Sequence, residues 1–248
     1  LVVGVKYDAR PFGYVQEGEI VSGFDVDLSR ELAKRILGNP NAVEFQQVTS
    51  SNRIFALTSG TVDMVIATLS MTPQRGRIID FSVPYYIAGQ AVLVPKHSHI
   101  KSISDLSDKI IIVVLGSTSE ANIRLMFPKA KILGFRTYTD AFSALRNGRG
   151  DAMTTDDTIL YGFIADNPDY TILSERITQE PYVIGFKKGA EVQSLIETVN
   201  FTLNEMNEDG TLTKIKAKWI GKMSNSNEAP EEKKAEKTPE DVKKDVHD

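Results

Sequence analysis

Three stretches carry residues whose types and spacing suggest chemistry. In "TLSMTPQR" (68–75) an apolar run gives way to a helix start, with Thr72 placed to cap it and Pro73 suited to its first turn. Arg75 then stands at the positive end of the helix dipole, a poor place for a cation. An anion shared by its guanidinium, the free amides and the Ser70 hydroxyl reverses that sign, so the motif reads as a carboxylate site. The plainer alternative is a surface arginine lying over the sheet, and spacing alone does not choose. Arg53 in "SSNR" repeats the theme one helix earlier, and Lys6 in "GVKYD" adds a third cation. Asp156 and Asp157 in "TTDDT" (154–158) offer the opposite charge, suited to an ammonium, although adjacent aspartates also serve as a solvated turn or cap.

The elements around these residues alternate. "LVVGVKY", "VEFQQVT" and "VDMVIATLS" read as strands, the last apolar almost throughout, as a strand covered on both faces must be. "GFDVDLSRELAKRILG" has helical spacing at Leu28, Leu32, Ile36 and Leu37 and stops at Gly38, and "SSNRIFALTSG" is a short helix capped by Ser50 or Ser51. The pattern restarts at "IIIVVLGSTSEANIRLMF" and "YTDAFSALRNGRGDAM". This is an α/β chain of two similar lobes with largely parallel sheets. Two extended segments, "YYIAGQAVLVP" (85–95) and "QEPYVIGFKK" (179–188), link them, and two crossings make a hinge with a cleft between the lobes. Ligands of open α/β sheets sit beyond the carboxyl ends of strands, where Lys6, Arg53, Thr68, Ser70, Arg75, Ser117, Thr118 and Asp156 all fall.

Composition narrows the function. The chain has 29 Lys+Arg against 33 Asp+Glu and a net charge of −4, without the basic excess that duplex binding needs. It has no cysteine, which removes disulfides, zinc–thiolate sites and a thiol nucleophile. Its three histidines are His97 and His99 in one loop and His247 near the end, which leaves a hydrolytic triad short of a base and speaks against a metal site. "DVD" (25–27) lacks the glycine and distal glutamate of a calcium loop, and "RGD" (149–151) opens an apolar strand. No stretch is long and apolar enough for a membrane span, and the chain opens directly on a strand-like run, which suits a product whose export or anchoring segment has been removed. Residues 222–248 are Lys-, Glu-, Asp- and Pro-rich and are expected to form a disordered tether.

"GFDVDLSRELAKRI", "GTVDMVIATLSMTPQRGRIIDFSVPYY", "GDAMTTDDTILYGF" and "EDGTLTKIKAKWIG" together resemble the extracellular solute-binding proteins of polar-amino-acid ABC importers, over residues 1–221. The resemblance implies a two-lobed periplasmic-binding-protein (Venus-flytrap) fold with mixed, mostly parallel sheets joined by two hinge strands. Residues 1–88 and 185–221 then form the first lobe and 89–184 the second. It implies a monomeric binding protein rather than an enzyme, without cofactor, periplasmic or extracellular and lipid-anchored through a missing N-terminal segment, which delivers its ligand to permease subunits.

By the same resemblance Arg75 clamps the ligand α-carboxylate with Thr68 and Ser70, Asp156 takes the α-ammonium, Ser117 and Thr118 add hydrogen bonds, and Tyr7 belongs to an aromatic wall. Lys6 and Arg53 resemble the aspartate/glutamate-binding branch, so the expected ligand is L-glutamate or L-aspartate, with Arg53 meeting its side-chain carboxylate. A glutamine-binding protein and a receptor sensor domain are the alternatives. An enzyme of this fold needs a proton donor in the cleft, and the cleft motifs show neither glutamate nor histidine.

Overall fold

The computed structural model describes residues 1–16 and 18–221, so the expected tether at 222–248 lies outside the described residues. The first sheet runs in the order Glu44–Gln47, Val2–Val5, Met64–Val65, Gly185–Lys187, Ile79–Phe81. Its first three strands are parallel, and Gly185–Lys187 enters antiparallel to both neighbours. The second sheet runs Lys131–Phe135, Ile110–Val114, Ala152–Asp156, Tyr86–Pro95, Tyr170–Ile172, again parallel at the first two pairings. The long strand Tyr86–Pro95 is antiparallel to its neighbours, including Gln179–Tyr182. The sheets are therefore mixed, and less parallel than the sequence pattern suggests, because each strand next to a crossing returns without a helical crossover.

The two expected linking segments pair with each other, Gln179 opposite Gly89 and Tyr182 opposite Tyr86. "QEPYVIGFKK" is two strands rather than one, and the first joins the second sheet while the other joins the first. Where they cross, Phe12 packs edge-on against Tyr86 and Tyr182 at 5.3 and 5.2 Å between ring centroids. Such pairs hold orientation as well as area, which keeps the hinge strands in register.

The helices follow their local signals. Phe24–Leu37 carries Asp25 and Asp27 in its first turn and Lys34 and Arg35 in its last, and ends at Gly38 with φ of 75°. Asn52, not Ser50 or Ser51, stands at the N-cap of Arg53–Thr58, and its side chain turns back to accept from Thr49 N–H at 2.7 Å instead of bonding the helix's first turn. Pro73–Gly76 is a single turn whose Thr72 cap accepts from Arg75 N–H at 3.2 Å. No helix among the described residues is long and apolar enough to cross a membrane.

Candidate functional site

The lobes are closed on one another. Arg75 donates Nη1–H to Ser70 O at 2.6 Å within the first lobe and Nη2–H to Gly116 O at 3.1 Å in the second. Gly116 has φ of 78°, and a Cβ there would stand 2.7 Å from Ser51 Cα, so backbone meets backbone at this seam. Lys6 reaches across as well, its Nζ donating to the Tyr138 hydroxyl at 2.7 Å and lying 4.3 Å from that ring's centroid.

Between the lobes is a cluster of buried charge: Lys6, Arg53 and Arg75 against Asp25, Asp156 and Glu180. Burial pushes the Lys6 ammonium well below its usual range, with repulsion from Arg53 next in size. The Arg75 guanidinium is brought down to about 9, first by burial and then by Arg53. Burial also lowers Arg53. The carboxyl of Asp156 is raised to about 6 by burial, then by the charge of Glu180. Its Oδ2 accepts a short hydrogen bond from the Tyr182 hydroxyl, while Oδ1 has no partner. Arg53 Nε and the Thr68 hydroxyl are likewise buried without partners, and the buried Ser50 and Thr155 hydroxyls have only the Tyr138 phenol beside them. A folded protein seldom leaves so many polar groups unsatisfied in one place unless they serve something else.

The main chain that carries this cluster is under tension. Thr68 has φ of 47°, in the left-handed region that costs a non-glycine residue about 1–2 kcal/mol. Asp25 holds it there, since Oδ2 accepts from Thr68 N–H at 3.1 Å and Oδ1 from the Tyr85 hydroxyl at 2.9 Å. Arg53 Nη1 donates to Ala67 O at 2.6 Å and Thr68 O at 3.0 Å, pinning the same turn from the other side. Burial raises the Asp25 carboxyl to about 6. Asp25, the first aspartate of "DVD", is thus a brace for Thr68, a role that an ion-binding motif does not reveal.

Of the residues singled out from sequence, Lys6, Arg53, Thr68, Ser70, Arg75 and Asp156 come together and are all buried. Ser117 and Thr118 are at the opposite wall, with different partners from those expected: Ser117 caps the helix Thr118–Met126, and the Thr118 hydroxyl donates to Glu180 Oε2 at 2.8 Å. Tyr7 departs from expectation. Successive side chains of an extended segment point to opposite faces, so Lys6 enters the cluster and Tyr7 leaves it. The Tyr7 hydroxyl donates to Phe45 O at 3.3 Å, and its ring lines an outer groove of about 320 Å³ with Arg10, Tyr14 and Phe142.

Tyr138 and Glu180, like Asp25, were not legible as site residues in the sequence. Tyr138 opens a helix just after the strand Lys131–Phe135, so the rule that found Ser117 also applies to it. Glu180 corrects the expectation that the cleft lacks a glutamate. It is 4% exposed on the hinge strand and accepts from Thr178 as well as Thr118. No group of three or more His, Cys, Asp or Glu among the described residues is placed to hold a metal ion.

Residues 1–222 match the model of the bacterial extracellular solute-binding proteins, family 3. The ABC transporter glutamine-binding protein GlnH of Bacillus subtilis (strain 168) is 43% identical over 223 residues, 89% of this chain and 81% of that protein. A crystal structure of a solute receptor for L-cysteine of Neisseria gonorrhoeae superposes with a TM-score of 0.87 at 32% identity, covering 93% of this chain and 94% of the other. An ancestral arginine-binding protein bound to glutamine superposes with a TM-score of 0.84 at 40% identity, covering 89% and 97%. With two α/β lobes closed on a buried set of charges, crossed twice by paired hinge strands, and with its family model matched along nearly every described residue, this chain belongs to the bacterial extracellular solute-binding proteins of family 3 and is a solute-binding protein of an amino-acid ABC importer.

Proposed function

We propose that the protein captures L-glutamine between its lobes and delivers it to its permease. The observation that carries this reading is the charge count of the cluster, where three cations (Lys6, Arg53, Arg75) face three anions (Asp25, Asp156, Glu180). A glutamine zwitterion leaves that balance unchanged, whereas glutamate adds a buried negative charge. Arg75 is the group for the α-carboxylate, helped by Thr68 and Ser70. Asp156, with one carboxylate oxygen unpartnered, is the group for the α-ammonium.

The side-chain end of the site is Lys6, Arg53, Tyr138, Ser50 and Thr155. Lys6 is engaged by Tyr138 and Arg53 Nη1 by two main-chain carbonyls, which leaves Arg53 Nε as the open donor at that end. The Ser50 and Thr155 hydroxyls beside Tyr138 both donate and accept, as a primary amide requires. The glutamine named for the Bacillus relative and for the ancestral protein supports the same ligand. Glutamate or aspartate is the second reading, favoured by two cations converging at that end.

In the division we propose, residues 1–88 and 185–221 move against 89–184 about the paired strands at Tyr86 and Tyr182. A ligand that touches both lobes binds the closed form better and draws the population toward it. Capture and release involve no turnover. Calorimetric titration with glutamine, glutamate, aspartate, arginine and cysteine tests the ligand. Glutamine binding at least tenfold tighter than glutamate is expected, and the reverse order returns the acidic-ligand reading.

A further inference from the structure

The outer edge of the seam begins at the rim of the charged cluster, where Asp8 is the leading opposite charge acting on the Lys6 ammonium. Asp8 and Ala9 follow Lys6 and form a short strand of the small sheet completed by Gly13–Val15 and Val21–Ser22. Asp8 Oδ2 accepts from the Tyr138 backbone N–H at 2.6 Å, across the lobes. Tyr138 is the first residue of the helix Tyr138–Arg146, and the cap Thr137 gives its hydroxyl oxygen to Asp140 N–H instead. The Tyr138 amide is therefore one of the first-turn donors that no helix satisfies by itself. When the lobes meet, a carboxylate seats on it, at the positive end of that helix's dipole.

The contact bears directly on the site. Tyr138's phenol receives the Lys6 ammonium, so fixing its backbone fixes the wall at the ligand's side-chain end. Beside it the Arg10–Asp166 ion pair also crosses the seam at 3.2 Å, but its side chains are 48% and 72% exposed, and such a pair contributes little. Asp8 makes the short, charge-assisted bond of the two.

We propose that Asp8 is a closure-linked positioning residue. It touches no ligand, clamps the start of the Tyr138 helix as the lobes close, and so strengthens binding of every ligand by the same factor. The inference rests on the hinge-closing reading above and not on which amino acid binds.

Asp8→Ala and Asp8→Asn, titrated with the twenty standard amino acids beside wild type, test it. Asp8→Ala is expected to weaken every ligand that binds wild type by about tenfold, as faster dissociation, with rank order unchanged. Asp8→Asn, which keeps an acceptor oxygen but not the charge, falls between. The melting temperature of the ligand-free protein is expected to fall by less than the affinity loss accounts for, because the Tyr138 contact joins the lobes, while within its own lobe Asp8 is one of several charges acting on Lys6. Unchanged affinities overturn the proposal, as does a loss confined to one ligand, which puts Asp8 against that ligand's side chain. A drop in ligand-free melting temperature matching the affinity loss overturns it too. The rank order reads the ligand and the common factor reads Asp8, so the two readings fail separately.

Discussion

Gly162→Ala is expected to stabilise the fold and weaken binding at once. Gly162 lies inside the helix Asp157–Ile164, where alanine is favoured over glycine by about 0.8–1 kcal/mol. In a protein of this size that raises the melting temperature by roughly 2–4 °C. A Cβ at 162 would, however, stand 2.6 Å from Arg10 O, a main-chain atom of the other lobe. That distance is well inside contact, and a backbone oxygen cannot swing aside as a side chain does. The lobes must part slightly, and strain of the overpacking kind, about 1–3 kcal/mol, falls on the closed form alone. At about 1.4 kcal/mol per decade, affinity drops roughly 5- to 150-fold. Differential scanning calorimetry without ligand and isothermal titration with glutamine measure the two effects. Wild-type affinity in this variant would show that the liganded lobes do not approach at Arg10. A lowered ligand-free melting temperature would show that they press together without ligand, and either result refutes the reasoning.

Arg75→Ala is expected to weaken every amino acid by at least a hundredfold, since the α-carboxylate is common to all and loses its buried cation; titration of glutamine, glutamate and arginine checks it. Arg53→Ala is expected to lower the melting temperature of the ligand-free protein as well, because Arg53 pins the Ala67–Thr68 turn inside one lobe through two main-chain carbonyls. Acid is expected to weaken binding from about pH 6 downward. Asp156 is raised to about 6 in the closed fold, a bound ammonium draws it lower, and so protons compete with the ligand below that value. Affinity then falls by up to tenfold per pH unit, and Asp156→Asn, titrated between pH 5 and 7.5, removes that dependence. Asp25 runs the other way for stability. With its carboxyl raised to about 6, the fold is favoured below the unfolded value near 3.8, and that contribution is lost as pH rises through about 6.

The alternation of apolar strands and amphipathic helices in the amino-acid sequence determined the two α/β lobes, because each periodicity buries only one kind of face. It also determined most of the charged cluster, because strand ends are where an open sheet exposes its loops; Asp156 is the last residue of its strand, and Lys6, Arg53 and Arg75 lie beyond theirs. Local pattern carries no pairing information, however. Strand pairing in the folded chain divides "QEPYVIGFKK" between two sheets, which makes the hinge and puts Glu180 in the cleft. Only the structure turned Tyr7 away, since one residue of register flips a side chain to the other face. Asp25 and Tyr138 are 43 and 130 residues from the backbone amide and the carboxylate they meet, Thr68 and Asp8, and no window of sequence holds both partners. The ligand preference follows the same division. Lys6 and Arg53 read in sequence as charges waiting for an acidic side chain, and what offsets them, Tyr138 from the other lobe and the carbonyls of a strained turn, exists only once the chain has folded.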